Sequence, residues 1–317
     1  MIRTSHIHQQ SMKIGKKRNL VKDIMNCKQL YFMFIPFLIW LFMFDFLPYN
    51  GLQLAFKDYN PFVGINESPW VGLEHFKTFF SSPYAYRIIR NTLLINFYSL
   101  LFKMPATIIL ALLFNEIRCK FFRTAAQTIS YMPHFISTVV VVGIATVMLS
   151  PTSGIINILI EKLGGEKTYF LADPKYFRTI YVSLTCWQQV GFGTIIFTSA
   201  IYGIDETLYE AAAIDGAGRF RKVWHITIPG IMPTIATVLI INIGHILELG
   251  ADTILLLYQP ITYETADVIS TYVYRIGLQE TNYSLATAVN LLNGVIAFVL
   301  VMLSNRASKK LGDVGIW

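Results

Sequence analysis

Charge is scarce in this chain: Asp, Glu, Lys and Arg make up 14% of its 317 residues, hydrophobic residues 54%, and the mean hydropathy is +0.50. That is too little polar surface to coat a soluble body of this size, so the composition points to a polytopic membrane protein. Cysteine is scarce too. Cys27, Cys119 and Cys186 lie far apart without paired spacing, which speaks against a disulfide framework and against a zinc site. The sequence has no HExxH, no GxSxG, no Walker A lysine and no group of histidines and carboxylates at metal-ligand spacing. Gly164-Gly-Glu-Lys-Thr168 has only a superficial likeness to a phosphate loop, because the Gly-Lys-Ser/Thr order is missing there and everywhere else. His6 and His8 in the N-terminal tail make a weak case for a metal. No catalytic residue, no metal site and no bound cofactor is therefore expected. No internal repeat is evident, which removes direct support for an inverted-repeat secondary transporter. The net charge of +7 would suit nucleic acid, but the basic residues sit beside apolar runs and build no aromatic-basic module, so no nucleic-acid partner is expected.

What the chain has in quantity is apolar length. Six runs, over about 30–48, 92–114, 125–149, 179–203, 231–258 and 285–303, are long enough to cross a bilayer as helices. In lipid a segment must satisfy its own backbone, so even the β-branched run from Val139 onward is expected to be helical. The fold class is all-α, with about six transmembrane helices. The run from Leu30 to Leu47 is too long for a signal-peptide core and lacks a small-x-small cleavage site, so it reads as a retained span. Sixteen Lys and Arg lie in the N-terminal tail, the 115–123 loop, the 204–230 insert and the C-terminal tail, against nine in the three stretches opposite. The positive-inside rule then places both termini and the insert in the cytosol. Three parts are expected: a basic cytosolic tail over 1–29, a membrane domain over 30–305 with the cytosolic insert 205–229, and a basic tail over 306–317. In the first tail, 14–28 suits a helix lying on an anionic leaflet as well as it suits an unfolded segment.

Polar residues inside the runs are candidates for a solute path. Lys103 lies in the second run, and a lysine there costs about 2.5–3.5 kcal/mol on insertion scales, so it should face the bundle or water. The fourth run holds Gln188 and Gln189 and a break at Gly191-Phe-Gly193; the sixth holds Asn290 and Asn293. The fifth is the most polar: Asn242, His245, Glu248 and Asp252 share one helical stripe. Such a stripe must face a wet cavity or neighbouring helices, since lipid would reject it. A cavity that takes a polar solute such as a carbohydrate is one reading; interhelical hydrogen bonds worth about 0.6 kcal/mol each are the other.

The insert is the most specified stretch of the chain. Asp205 and a Thr207-x-x-Glu210 capping box open a short helix through Ala211, Ala212 and Ala213. Gly216 and Gly218 end it, and a second short segment leads to Pro229. Glu210-Ala211-Ala212, then three residues, Gly216, nine residues and Ile226-x-Ile228-Pro229 resembles the EAA motif of bacterial ABC importer permeases, with isoleucine in the usual leucine place. Trp70-Val-Gly-Leu-Glu-His-Phe76 is similar to the FVGLxNF stretch of sugar permeases of the maltose-permease group, Trp and His being departures. Tyr131-Met-Pro-His-Phe-Ile-Ser137 and Thr271-Tyr-Val-Tyr-Arg275 are similar to segments of the LplB-like oligosaccharide and polysaccharide permeases.

The resemblance covers about Tyr31 to Lys310 and implies a type I ABC importer subunit in the bacterial cell membrane. It further implies a second, related permease, two ATPase chains that hold ATP and Mg, an external solute-binding protein and a carbohydrate as solute. Glu210, Ala211, Ala212 and Gly216 would then couple the ATPase to the spans, which move by alternating access. An importer permease for another polar solute and an ion-coupled secondary transporter are the alternatives.

Overall fold

The computed structural model describes residues 28–244 and 251–312. The chain divides into two units, Met1–Leu52 and Gln53–Trp317. In the first, helix α1 (Lys28–Leu41) is apolar on every face and buries none of its residues. A π turn, Phe42–Phe46, follows it, and a 3-10 stretch begins at Leu47. Pro48 accounts for the change of pitch. Proline donates no amide and its ring collides with the carbonyl four residues back, so the turn before it widens. The same device recurs in the second unit, where the π turn Val223–Thr227 precedes Pro229.

The second unit contains α2 (Glu74–Ser81), α3 (Ala85–Glu116), α4 (Lys120–Tyr131), α5 (Thr138–Met148), α6 (Ile155–Lys162), α7 (Pro174–Tyr202), α8 (Glu206–Ile214), α9 (Ile228–Gly244), α10 (Ala251–Leu257), α11 (Ile269–Tyr274) and α12 (Tyr283–Gly312). Among the described residues five helical stretches are long and apolar enough to cross a membrane, and α4 with α5 makes a sixth if that bent pair is one span. The expected six runs are thus helical over most of their described lengths, but the third is not straight. Its two halves meet at 98°. The helix tightens to a 3-10 turn at Met132–Phe135, Ile136 and Ser137 are extended, and helix resumes at Thr138. Pro133 donates no amide to the ladder, which weakens the helix at this turn. The Ile136 carbonyl, left outside any ladder, accepts from Gln188 Nε2 of α7 at 2.9 Å.

A second correction concerns the fourth run. The expected break at Gly191-Phe-Gly193 does not exist, because α7 passes through it as continuous helix. The glycines serve close packing instead: a Cβ on Gly191 would collide with the Ser130 carbonyl of α4, and one on Gly193 would stand 3.1 Å from the Thr107 methyl of α3. The fifth run is helical to Gly244 and again from Ala251. The stripe expected there is described only at its two ends, Asn242 and Asp252; His245 and Glu248 lie outside the described residues, as do the tail positions 14–27, His6 and His8.

Helices α3 and α7 form the spine of this unit, and the apolar core gathers near its two ends. At the end where α3 and α7 begin, Ile88, Ile95, Phe177, Val182, Val268, Ile269 and Val289 are buried together with Phe79 of α2. At the other end Ala111 of α3, Phe197 and Ile201 of α7 and Ile231 of α9 form a smaller cluster. Between them the helices carry polar residues and cavities.

Candidate functional site

At the insert end, α8 is defined by its caps. Asp205 is the N-cap: its Oδ1 accepts from the Thr207 amide at 2.9 Å. That bond holds the Asp205 carboxyl below the ordinary carboxylate range. Thr207 is the second helical residue, so the expected Thr207/Glu210 capping box gives way to an Asp205 cap. At the other terminus Gly216 is left-handed, with φ +72°. The Gly216 amide donates to the Ala213 carbonyl at 3.1 Å and the Ala217 amide to the Ala212 carbonyl at 2.8 Å. These two bonds make a Schellman closure, which needs a residue free to adopt positive φ.

Glu210, Ala211 and Gly216 are exposed and Ala212 is half-buried. Ile214, in the last turn of α8, is 88% exposed, a large apolar side chain with nothing over it in this chain. The helix is tied down on its other face. Tyr209 Oη lies 2.9 Å from Thr227 Oγ1, and Lys222 Nζ donates to the Tyr209 carbonyl at 3.1 Å. Arg219 pairs loosely with Glu116, the last residue of α3, at 3.9 Å. A cavity of about 680 Å³ opens beside the helix, lined by Glu206, Tyr209, Glu210, Lys222 and Asn115 among others. Contacts therefore tie α8 to the segment that leads into α9 through Tyr209, Lys222 and Thr227, and tie that segment to the end of α3 through Arg219 and Glu116.

Midway along the spine, Lys103 of α3 donates to Gln189 Oε1 of α7 at 3.2 Å. Both line a cavity of about 210 Å³ with Thr107, His134, Phe192 and Asn242. The His134 and Phe192 rings stack at 4.0 Å and 3°. His134 comes from the bend between α4 and α5, so the Tyr131-to-Ser137 segment brings a ring to the cavity wall. Of the expected path residues, Gln189 and Asn242 meet here, although the Asn242 amide nitrogen is spent on the Val238 carbonyl. Gln188 instead holds the bend. Asp252 is exposed in the first turn of α10, Asn290 is exposed on α12 and Asn293 half-buried; none of these three lines this cavity.

A third polar constellation holds the opposite end together. Asp267 is fully buried and takes both Nη atoms of Arg275, at 2.8 and 3.3 Å, and the Thr271 hydroxyl at 2.9 Å. Arg87 of α3 lies at 3.5 Å. Asn91 donates to the Glu264 and Asp267 carbonyls and accepts from Arg178 Nη2 of α7. Burial would lower Arg275, but its bond to Asp267 outweighs this and raises it. Thr271 and Arg275 of the Thr271-to-Arg275 segment are thus lock residues, Thr271 four residues after Asp267 and Arg275 four after Thr271.

The model of the family described as binding-protein-dependent transport system inner membrane component matches residues 103–310. The chain belongs to this family. The polygalacturonan/rhamnogalacturonan transport system permease protein YteP of Bacillus subtilis (strain 168) is 42% identical over 302 residues, covering 95% of this chain and 94% of that protein. Protein LplB of the same organism is 41% identical over 303 residues, with 96% and 95% covered. A chain of the crystal structure of a bacterial alginate ABC transporter, in complex with an alginate pentasaccharide-bound periplasmic protein, is 46% identical with a TM-score of 0.86, covering 94% of this chain and 99% of that one. As an ABC importer permease, this chain is a multi-pass subunit of the cell membrane, and ATP hydrolysis belongs to a separate subunit.

Proposed function

We propose that this permease carries a carbohydrate, an oligosaccharide in particular, through a path of which the cavity at Gln189 is one wall. The observation that carries the reading is the lining: a stacked pair of rings, two amides and a cation round one opening. Flat apolar rings and a few placed hydrogen-bonding groups are what a sugar's faces and hydroxyls require. At about 210 Å³ the cavity is smaller than the roughly 300–1,000 Å³ of a complete small-ligand site. A second, related permease supplies the facing wall. The polysaccharide transport named for YteP and the alginate transporter support the same solute class.

In this reading both termini and α8 lie in the cytosol, and Glu210, Ala211, Ala212 and Gly216 meet a groove on the ATPase, with Ile214 as the apolar contact. ATP and Mg are held by two ATPase chains, not by this one, and an external solute-binding protein delivers the sugar. The test is reconstitution of the whole importer in proteoliposomes. ATP-dependent accumulation of an oligosaccharide is expected, lost with Gly216→Asp while the complex still assembles. Uptake driven by an ion gradient without the ATPase would overturn the reading.

A further inference from the structure

We propose that the start of α4 is a binding site for an anionic phospholipid, held by Arg118 and Lys120 and by the rings of Phe121 and Phe122. The inference goes beyond the carbohydrate reading and holds whichever solute is carried. It begins with the pattern of α4, which is the reverse of a soluble helix. Phe121, Phe122, Ile129 and Met132 fall on one side of the helix and are all exposed, Phe121 at 84% and Ile129 at 67%. The side turned to the rest of the chain is polar. Arg123, Gln127, Ser130 and Tyr131 are half-buried, Ser130 against Gly191 of α7 and Tyr131 with its ring edge-on to Phe114 of α3. An outward apolar face on a membrane-spanning chain suits hydrocarbon, which is as apolar as leucine.

Slope and charge set this face apart from the other exposed apolar faces. Helix α4 meets α5 at 98°, so the two cannot both stand upright in the bilayer. Its 12 residues measure about 18 Å, close to the ~15 Å depth of one leaflet's hydrocarbon. It starts at the end of the bundle that carries α8, four residues after Glu116, which pairs with Arg219. In the reading above that is the cytosolic end, where the leaflet carries anionic lipid. Arg118 and Lys120 are exposed there, and the chain has no Asp or Glu between Glu116 and Glu161. Two exposed cations followed by two exposed phenylalanines offer charge to headgroup phosphates and rings to acyl chains. A second permease covering this face would have to bring carboxylates to the cations. A phospholipid brings phosphate and hydrocarbon in one molecule. The site and the cavity wall lie on one continuous stretch, 118–134, because α4 ends in the bend that carries His134; uptake is therefore expected to depend on the lipid.

The experiment places the complete importer, with its second permease, ATPases and binding protein, in phosphatidylcholine proteoliposomes. These carry a trace of photoreactive lipid, with either a phosphatidylglycerol or a phosphatidylcholine headgroup on the same diazirine-bearing acyl chain. After illumination the labelled peptides are located by mass spectrometry. Phosphatidylglycerol is expected to label 118–132 roughly twentyfold more than phosphatidylcholine, each cation near a leaflet being worth about fivefold in affinity. Arg118→Gln and Lys120→Gln should each lower that preference roughly fivefold, and the double variant should abolish it. Arg118→Lys with Lys120→Arg should keep it. Both leaflets hold the probe, so the result does not rest on which end of the bundle is cytosolic. With phosphatidylglycerol as a bulk component, wild-type uptake should exceed that in phosphatidylcholine alone, and the double variant should lose this gain. Gel filtration monitors assembly, and the single variants decide if the double variant does not assemble. Equal labelling by the two lipids, or a phosphatidylglycerol preference or uptake gain unchanged in the double variant, would overturn the proposal. So would cross-linking of 118–132 to the second permease or to an ATPase in place of lipid. None of these results touches the carbohydrate reading, which fails only if the importer takes up no oligosaccharide.

Discussion

Asp267 and Lys103 are both ionisable groups taken out of bulk water, and they are treated in opposite ways. Asp267 is fully buried and its oxygens are saturated by Arg275, Thr271 and Arg87. Lys103 is half-buried, meets one amide oxygen, and borders a cavity. A buried charge whose partners are all within the chain is a fastening; a charge that lines an opening belongs to the wall of the path. The contrast separates structural from functional polarity here more sharply than burial or residue type does.

Breaking the fastening should give the largest effect. Asp267→Ala strands Arg275 and leaves Arg87 without its near anion, and removing one partner of a buried pair costs about 3–5 kcal/mol. Loss of the assembled complex, read by thermal stability in detergent, is expected. Lys103→Met should leave that stability close to wild type while it slows uptake. If the two substitutions destabilised equally, the distinction between fastening and path wall would be lost.

How much of this was legible in the sequence follows from how far apart the deciding contacts are. The insert was readable because its signals are local: Asp205 caps the amide two residues on, and Gly216 closes on Ala213. Even there Thr207 and Glu210 satisfy a capping-box spacing that the Asp205 cap pre-empts. Helix content and the six runs were readable because the bilayer forces hydrogen-bonded backbone. The bend after Pro133 was not, since it depends on Gln188 reaching the Ile136 carbonyl from 52 residues away. Gly191 and Gly193 read as a break because glycine marks flexible and crowded backbone alike. Only the Ser130 carbonyl opposite Gly191 decides between the two. The Asp267 lock had a faint signal, the four-residue spacing of Asp267, Thr271 and Arg275, while Arg87 and Asn91 had none.

The two packing glycines offer a smaller test of the same lesson. Gly191→Ala drives a methyl into backbone, the Ser130 carbonyl, which cannot yield without parting α7 from α4. Overpacking of this kind costs about 1–3 kcal/mol. Gly193→Ala meets a threonine methyl at 3.1 Å, which can shift, so its loss of melting temperature should be the lesser of the two. If Gly193→Ala proved the more damaging, α7 would be hinged there after all. Gly216→Ala faces no crowding but a φ of +72°, and an L side chain in that region costs about 1–2 kcal/mol. That strain falls on the exposed end of α8, so overall melting should barely move while ATP-driven uptake falls.

Asp205 should give the smallest effect, and its sign can be worked out. The Thr207 amide lowers its pKa in the folded state below the ordinary value of 3.8. A carboxyl with a depressed folded pKa contributes stability above its unfolded pKa and loses it as pH falls through the folded one. The cap is therefore intact at neutral pH and is lost only in acid, below about pH 4. Asp205→Ala should mimic that acid state at every pH, with a modest fall in uptake per ATP hydrolysed. Asp205→Asn should restore the wild-type value, because an asparagine oxygen caps the same amide nearly as well, and it should also remove the pH dependence of α8, followed by hydrogen exchange of the Thr207 amide. If Asp205→Asn behaved like Asp205→Ala, the charge of Asp205 rather than its cap would matter, and the residue would belong to the surface that meets the ATPase instead of to the frame of the helix.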